Sequence, residues 1–159
     1  MTPEHFSEVF REHLPALSRF LSRRVPLDEV DDIAAQTFEV AWLKREQVTE
    51  GEELPWLYRI ATFQIANYRR KSATATNFLR SSLRPDAAPS PEAIAILDVD
   101  LSVAWRSLSQ AERTLLSLTA FEGLAVKDAA SVLGIKPNAA SLKLLRARKK
   151  LQELLAEKD

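Results

Sequence analysis

Along this chain apolar side chains return every third or fourth position and almost never alternate, a period that suits helices and not strands. The first stripe joins Phe6, Val9, Phe10, Leu14, Leu17 and Leu21. Thr2 followed by Pro3 marks its start as an N-cap with proline at the first helical position, and Pro15 is expected to kink it. In the run PLDEVDDIAAQTFEVAWLK a second helix would turn Val30, Ile33, Ala34, Thr37, Phe38 and Ala41 inward and leave Asp28, Asp32 and Glu39 on the opposite side,. Its acidic start faces the positive end of the helix dipole. A polar loop, REQVTEGEE, leads to LPWLYRIATFQIANYRRK, a third helix that is apolar first and cationic last,. One helical unit therefore closes near residue 72.

The period fails over the next stretch, SATATNFLRSSLRPDAAPSPEAIAILD, where Ser, Thr, Ala and three prolines predict a linker with a short helix after Pro91,. It returns at DLSVAWRSL. Ser109 and Glu112 form a capping-box pair for a helix to about Phe121, which Gly123 ends. LAVKDAASVLG is then a short helix stopped by Gly134, and Pro137 opens a long final one. A short helix, a tight glycine turn and a longer basic helix make a helix-turn-helix. The expected fold class is all-α, with two small helical domains at 1–72 and 99–159 joined by a flexible linker at 73–98.

Charge changes this picture more than composition does. The 22 basic and 22 acidic residues cancel, yet they are segregated: 54–71 holds Arg59, Arg69, Arg70 and Lys71 without an acid, and 129–152 holds Lys136, Lys143, Arg146, Arg148, Lys149 and Lys150 without one. At about 100° per residue, Ala140, Leu144, Ala147 and Leu151 share one side of the last helix. Asn138, Ala139, Ser141, Leu142, Leu145, Arg146 and Lys149 occupy the other, with Lys143 and Lys150 flanking it within reach of phosphates. A basic terminal helix by itself is as often a solvated surface; the preceding helix and turn favour DNA contact here. In the first patch, aromatic residues between cations suit the stacking of unpaired bases. Helical spacing favours core positions for Trp56 and Phe63 and leaves Tyr58 and Tyr68 open.

Other chemistries find little support. The chain has no cysteine, and its two histidines, His5 and His13, lie eight apart without metal-ligand spacing,. No phosphate-cradling glycine loop exists, Asp98 and Asp100 adjoin the linker without an apparent pocket, and neither a cofactor nor an enzyme activity is expected. No apolar run is long enough for a membrane span and the N-terminus lacks the pattern of a signal peptide, so a cytoplasmic protein is expected.

Taken together, DDIAAQTFEVAW with PWLYRIATFQIANYRR, and SLSQAERTLLSLTAFEGLAVKDAASVLGIKPNAASLKLLRARKKL, resemble the second and fourth regions of the extracytoplasmic-function sigma factors. The resemblance covers almost the whole chain. It implies a factor that binds core RNA polymerase, through the beta and beta-prime subunits, and directs initiation at promoter DNA. Asp28, Asp32, Gln36 and Glu39 would bind the coiled coil of the largest polymerase subunit. The 44–53 loop and the third helix, with Tyr58, Arg59, Asn67, Arg69, Arg70 and Lys71, would open and hold the minus-ten element. Lys136, Asn138, Ser141, Leu142, Lys143, Leu145, Arg146, Lys149 and Lys150 would face the minus-thirty-five element. The linker would run along the polymerase toward the RNA exit path, and an anti-sigma factor would be a further partner.

Three departures from the family pattern bear on this. Gln36 stands where an acid is frequent, and Lys136 stands where a serine often caps the recognition helix, which weakens the cap by about 1 kcal/mol. Ser141, Leu142 and Leu145 replace commonly polar or basic positions, so the promoter sequence does not carry over. Two other readings stay open: a helix-turn-helix regulator that is not a polymerase subunit, and an interaction protein that docks a partner helix on Leu142 and Leu145.

Overall fold

A computed structural model of the chain describes residues 1–72 and 88–157, which contain helices and no strand. The chain divides into two compact units, the second beginning at Ala88. In the first, α1 (Pro3–Ser22), α2 (Val30–Leu43) and α3 (Glu53–Ser72) pack on one another. Thr2 caps α1 by accepting the His5 N–H at 3.1 Å. Pro15, the expected kink position, lies inside α1, which continues beyond it to Ser22. Its missing N–H costs one intrahelical bond, and burial of Leu17, Phe20 and Leu21 beyond it holds the chain helical,.

The α2 stripe is the expected one, with Val30, Ile33, Ala34, Thr37, Phe38 and Ala41 buried. Thr37 sits there without an unmet donor because its hydroxyl donates to the Ile33 carbonyl at 2.8 Å,. The helix starts partway through its acidic run, with Asp31 and Asp32 in its first turn. Leu27–Glu29 form a 3-10 turn, so Asp28 lies ahead of α2 and not on it. A second 3-10 turn, Arg45–Gln47, shapes the loop before α3.

Two aromatic groups lock the unit. Phe6 and Phe10 meet Phe38 with ring centroids 6.4 and 4.6 Å apart, and Phe6 meets Trp42 at 5.1 Å. Deeper in, Phe20 stacks on Tyr58 at 4.5 Å while the Arg24 guanidinium lies 3.8 Å from the Phe20 ring centre. The expected linker at 73–98 meets the structure only in part. Residues 73–87 lie outside the described residues, and 88–98 pack with the second unit.

That unit opens with Ala88 and Pro89, both buried, and Trp105 fastens them: its indole N–H donates to the Pro89 carbonyl at 2.9 Å. Next come α4 (Pro91–Leu97), α5 (Val99–Arg106), α6 (Gln110–Ala120), α7 (Val126–Leu133) and α8 (Pro137–Ala156). Asp98 separates α4 from α5 and caps α5 by accepting the Leu101 N–H at 3.0 Å, a local job for one of the two acids noted beside the linker,. The capping box at Ser109 and Glu112 is complete in both directions,. Gly134 ends α7 in the left-handed conformation at φ 70°, which only glycine adopts without strain,. α8 then packs on α7 and α6, its Ala140, Leu144 and Ala147 buried.

Candidate nucleic-acid interfaces

The α7–turn–α8 geometry sorts the last helix into two sides. Ala140, Leu144 and Ala147 are buried, Leu151 is half-buried, and Asn138, Ala139, Ser141, Arg146 and Lys149 are exposed with Lys143 half-buried beside them. Leu142 and Leu145 are 47% and 64% exposed and lie on the same outward side. Lys136 supplies no side-chain bond to the helix start, because an ammonium donates and the first N–H groups need an acceptor,. Lys150, expected to flank this side, is exposed there and also has an ion-pair partner. Its Nζ lies 3.0 Å from Glu112 Oε1, and the same oxygen accepts the Ser109 N–H at 2.9 Å.

On α3 the structure separates residues that the spacing grouped together. Tyr58, named among the minus-ten residues, is 2% exposed and belongs to the core, stacked on Phe20. Its ring follows Leu57, Ala61 and Ile65 inward. Phe63 goes the other way at 37% exposure, and Trp56 is half-buried, against the expectation of core positions for both. Tyr68 is also half-buried. A wheel centred on the Leu57, Ala61 and Ile65 stripe puts Trp56 about 140° and Phe63 about 160° away, a signal already present in the spacing.

Those two rings line a cleft of about 210 Å³ between the end of α2, the 44–53 loop and α3, together with Val40, Lys44, Gln47, Arg59, Ile60 and Gln64. The Arg59 guanidinium lies 5.5 Å from the centre of the Phe63 ring. Two aromatic rings, two cations and two amides lining one small cleft can stack a planar base and bond its edge,. Trp56, Phe63 and Gln64 were not named among the expected site residues, and Lys44 and Gln47 entered only as part of the 44–53 loop.

The cationic end of α3 is partly spoken for. Arg69 Nη2 donates to the Arg24 carbonyl at 3.1 Å, tying the helix to the turn after α1, and Arg70 Nη2 donates to Asn67 Oδ1. Lys71 is exposed. Across the unit, Asp28, Asp32, Gln36 and Glu39 are all exposed; the last three recur along α2 at helical spacing and Asp28 extends the row from the 3-10 turn,. The row can meet a basic partner surface. Among the described residues no group of three or more His, Asp or Glu side chains could hold a metal ion, and no helix is long and apolar enough to cross a membrane.

Comparison with known proteins agrees with this division. Residues 9–75 match the family model for sigma-70 region 2, and residues 99–151 match that for sigma-70 region 4. The RNA polymerase sigma factor NccH of Alcaligenes xylosoxydans xylosoxydans is 30% identical over 94% of this chain and 86% of its own length. The RNA polymerase sigma factor CarQ of Myxococcus xanthus is 28% identical, over 96% and 90%. The ECF RNA polymerase sigma factor SigF of Caulobacter vibrioides (strain NA1000 / CB15N) is 29% identical, over 82% and 73%. Among solved structures, the sigma factor RpoE in complex with the anti-sigma factor NepR from Bartonella quintana superposes with a TM-score of 0.65 at 26% identity, over 96% of this chain and 98% of that one. CnrH in complex with the cytosolic domain of CnrY shares the fold, with a TM-score of 0.65 at 24% identity over 99% and 92%. With a domain of each region in order and relatives matched along most of their length, the chain belongs to the extracytoplasmic-function branch of the sigma-70 family, the promoter-directing sigma factors of RNA polymerase.

Proposed function

We propose that the chain acts in the cytoplasm, adds no chemistry of its own, and gives core RNA polymerase a bipartite promoter reader. The first unit, residues 1–72, docks on the largest subunit through Asp28, Asp32, Gln36 and Glu39. It holds the opened minus-ten strand in the Trp56–Phe63 cleft, with Arg59, Asn67, Arg70 and Lys71 beside the phosphates. Arg69 supports that edge from its bond to Arg24, and Tyr58 supports it from the core. The second unit lays α8 in the major groove at the minus-thirty-five element. There Asn138, Ser141 and Arg146 face base edges, Lys136, Lys143 and Lys149 face phosphates, and Leu142 and Leu145 face thymine methyls. Each unit needs only modest affinity, because joining them makes the second contact intramolecular.

The observation that carries the DNA reading is the composition of α8. Its buried side is almost featureless, while its outward side sets Asn138, Arg146 and Lys149 around two exposed leucines. An anti-sigma protein is a further partner of this kind of surface, as the RpoE complex with NepR illustrates for that protein, and Leu142 and Leu145 are the apolar groups such a protein would cover. Footprinting of the reconstituted holoenzyme tests the assignment. Duplex protection upstream should weaken with Arg146→Ala, and permanganate reactivity of the downstream thymines should fall with Phe63→Ala. Unchanged footprints for both variants would remove the assignment.

A further inference from the structure

We propose that Lys150 serves promoter recognition as a positioning residue, setting the rotation of α8 through Glu112 and making no phosphate contact of its own. The inference rests on the reading of α8 as the DNA-facing helix. Three observations lead to it.

First, the ammonium already has a demanding partner. Glu112 is only 6% exposed, and its Oε1 receives both Lys150 Nζ at 3.0 Å and the Ser109 N–H at 2.9 Å. The Lys150 side chain is 50% exposed, but pulling its ammonium off Glu112 would leave a buried carboxylate under-paired, which is costly,. Second, α8 packs on α5, α6 and α7 through mostly small side chains. Lys136 gives no side-chain cap at its start, and two of its three buried side chains are alanines, which offer little relief against rotation about the helix axis. Third, the wheel puts Lys150 at the border between the buried stripe and the outward face, about 40° from Arg146 one turn earlier. A tether there fixes which way Arg146 and Lys149 point.

The capping box thus has a second use. Ser109 and Glu112 start α6, and the same carboxylate orients the reader. The opposing groups are few: among the described residues only Glu112 forms an ion pair with Lys150.

The test is promoter binding by holoenzyme made from the full chain and core polymerase, titrated with salt. Lys150→Met should weaken binding about tenfold, the size of coupling found between residues in one network. The slope of log affinity against log salt should stay at the wild-type value. A phosphate contact would lower that slope by about 0.9. Glu112→Gln keeps the box, since glutamine serves at this position, but removes the charge. It should also weaken binding at constant slope, and adding Lys150→Met to it should cost nothing more than Lys150→Met alone. If Lys150 meets phosphate, Glu112→Gln releases it instead, and binding tightens with a steeper slope. A fallen slope in Lys150→Met, tighter binding in Glu112→Gln, or wild-type affinity in both would each overturn the proposal. Arg146→Ala separates this failure from the larger one: if it too binds as wild type, the reading of α8 as the DNA face fails.

Discussion

Replacing Phe63 separates a stacking role from a packing role, because its ring is neither core nor fully solvated. At 37% exposure about two-thirds of its surface is already covered, so Phe63→Ala should cost the protein roughly 1–2 kcal/mol of stability,. That is a fall in melting temperature of about 4–8 °C for each kcal/mol in a unit of this size. If the cleft beside Arg59 holds an unpaired base, losing the ring also removes about 1–3 kcal/mol of stacking, which shortens open-complex lifetime by about five- to 150-fold. Phe63→Leu splits the two effects. Leucine keeps most of the covered area but has no flat face, so stability should hold near wild type while the open complex decays as fast as with alanine. The assay is competitor-challenged dissociation of holoenzyme from promoter DNA, with permanganate reactivity reporting the opened strand. Wild-type lifetimes for both variants, with the protein folded, would refute the cleft as a base site.

Tyr58→Ala should behave in the opposite manner, costing about 3–5 kcal/mol and melting the first unit before any DNA effect can be isolated, which circular dichroism would record. Arg146→Ala should lose about 1–3 kcal/mol of promoter affinity with relaxed preference at one upstream position, read from binding to a panel of single-base variants. Lys136→Ser supplies the missing acceptor at the start of α8 and should raise the stability of the second unit by about 1 kcal/mol in thermal melts. Glu112 gives a pH signature. Burial pushes its carboxyl up, but the Ser109 N–H and the Lys150 ammonium outweigh burial and hold it below the usual carboxylate range. A depressed carboxyl stabilises the fold above its unfolded pKa, and that contribution is lost as pH falls through its folded value, so the second unit should weaken from roughly pH 5 downward. Lys150→Met should flatten that decline.

How far the sequence reaches depends on whether one local rule decides the residue. Thr2, Ser109, Glu112, Gly134 and Pro137 take the positions expected of them because caps and turns are settled within a few residues. The inward stripes of α2 and α8 follow from period alone. Tyr58 and Phe63 were not separable by residue type, since both are aromatic; their fate depended on which arc of α3 met α1 and α2. Trp105 shows the same limit. Its bond to Pro89 draws 88–98 into the second unit, a long-range contact that no composition rule for linkers contains. Lys150 and Glu112 are 38 residues apart, so a cation that looked available for phosphate in the helix wheel has a partner that only the folded unit brings near.

Run-off transcription tests the central claim most directly. Purified core polymerase with this protein should yield discrete transcripts from a promoter class with two separated elements, core alone should yield none, and reversing the charge of Asp32 and Glu39 should abolish both transcription and co-elution with core. Failure of the wild-type chain to co-elute with core and to support any promoter-specific transcript would contradict the account.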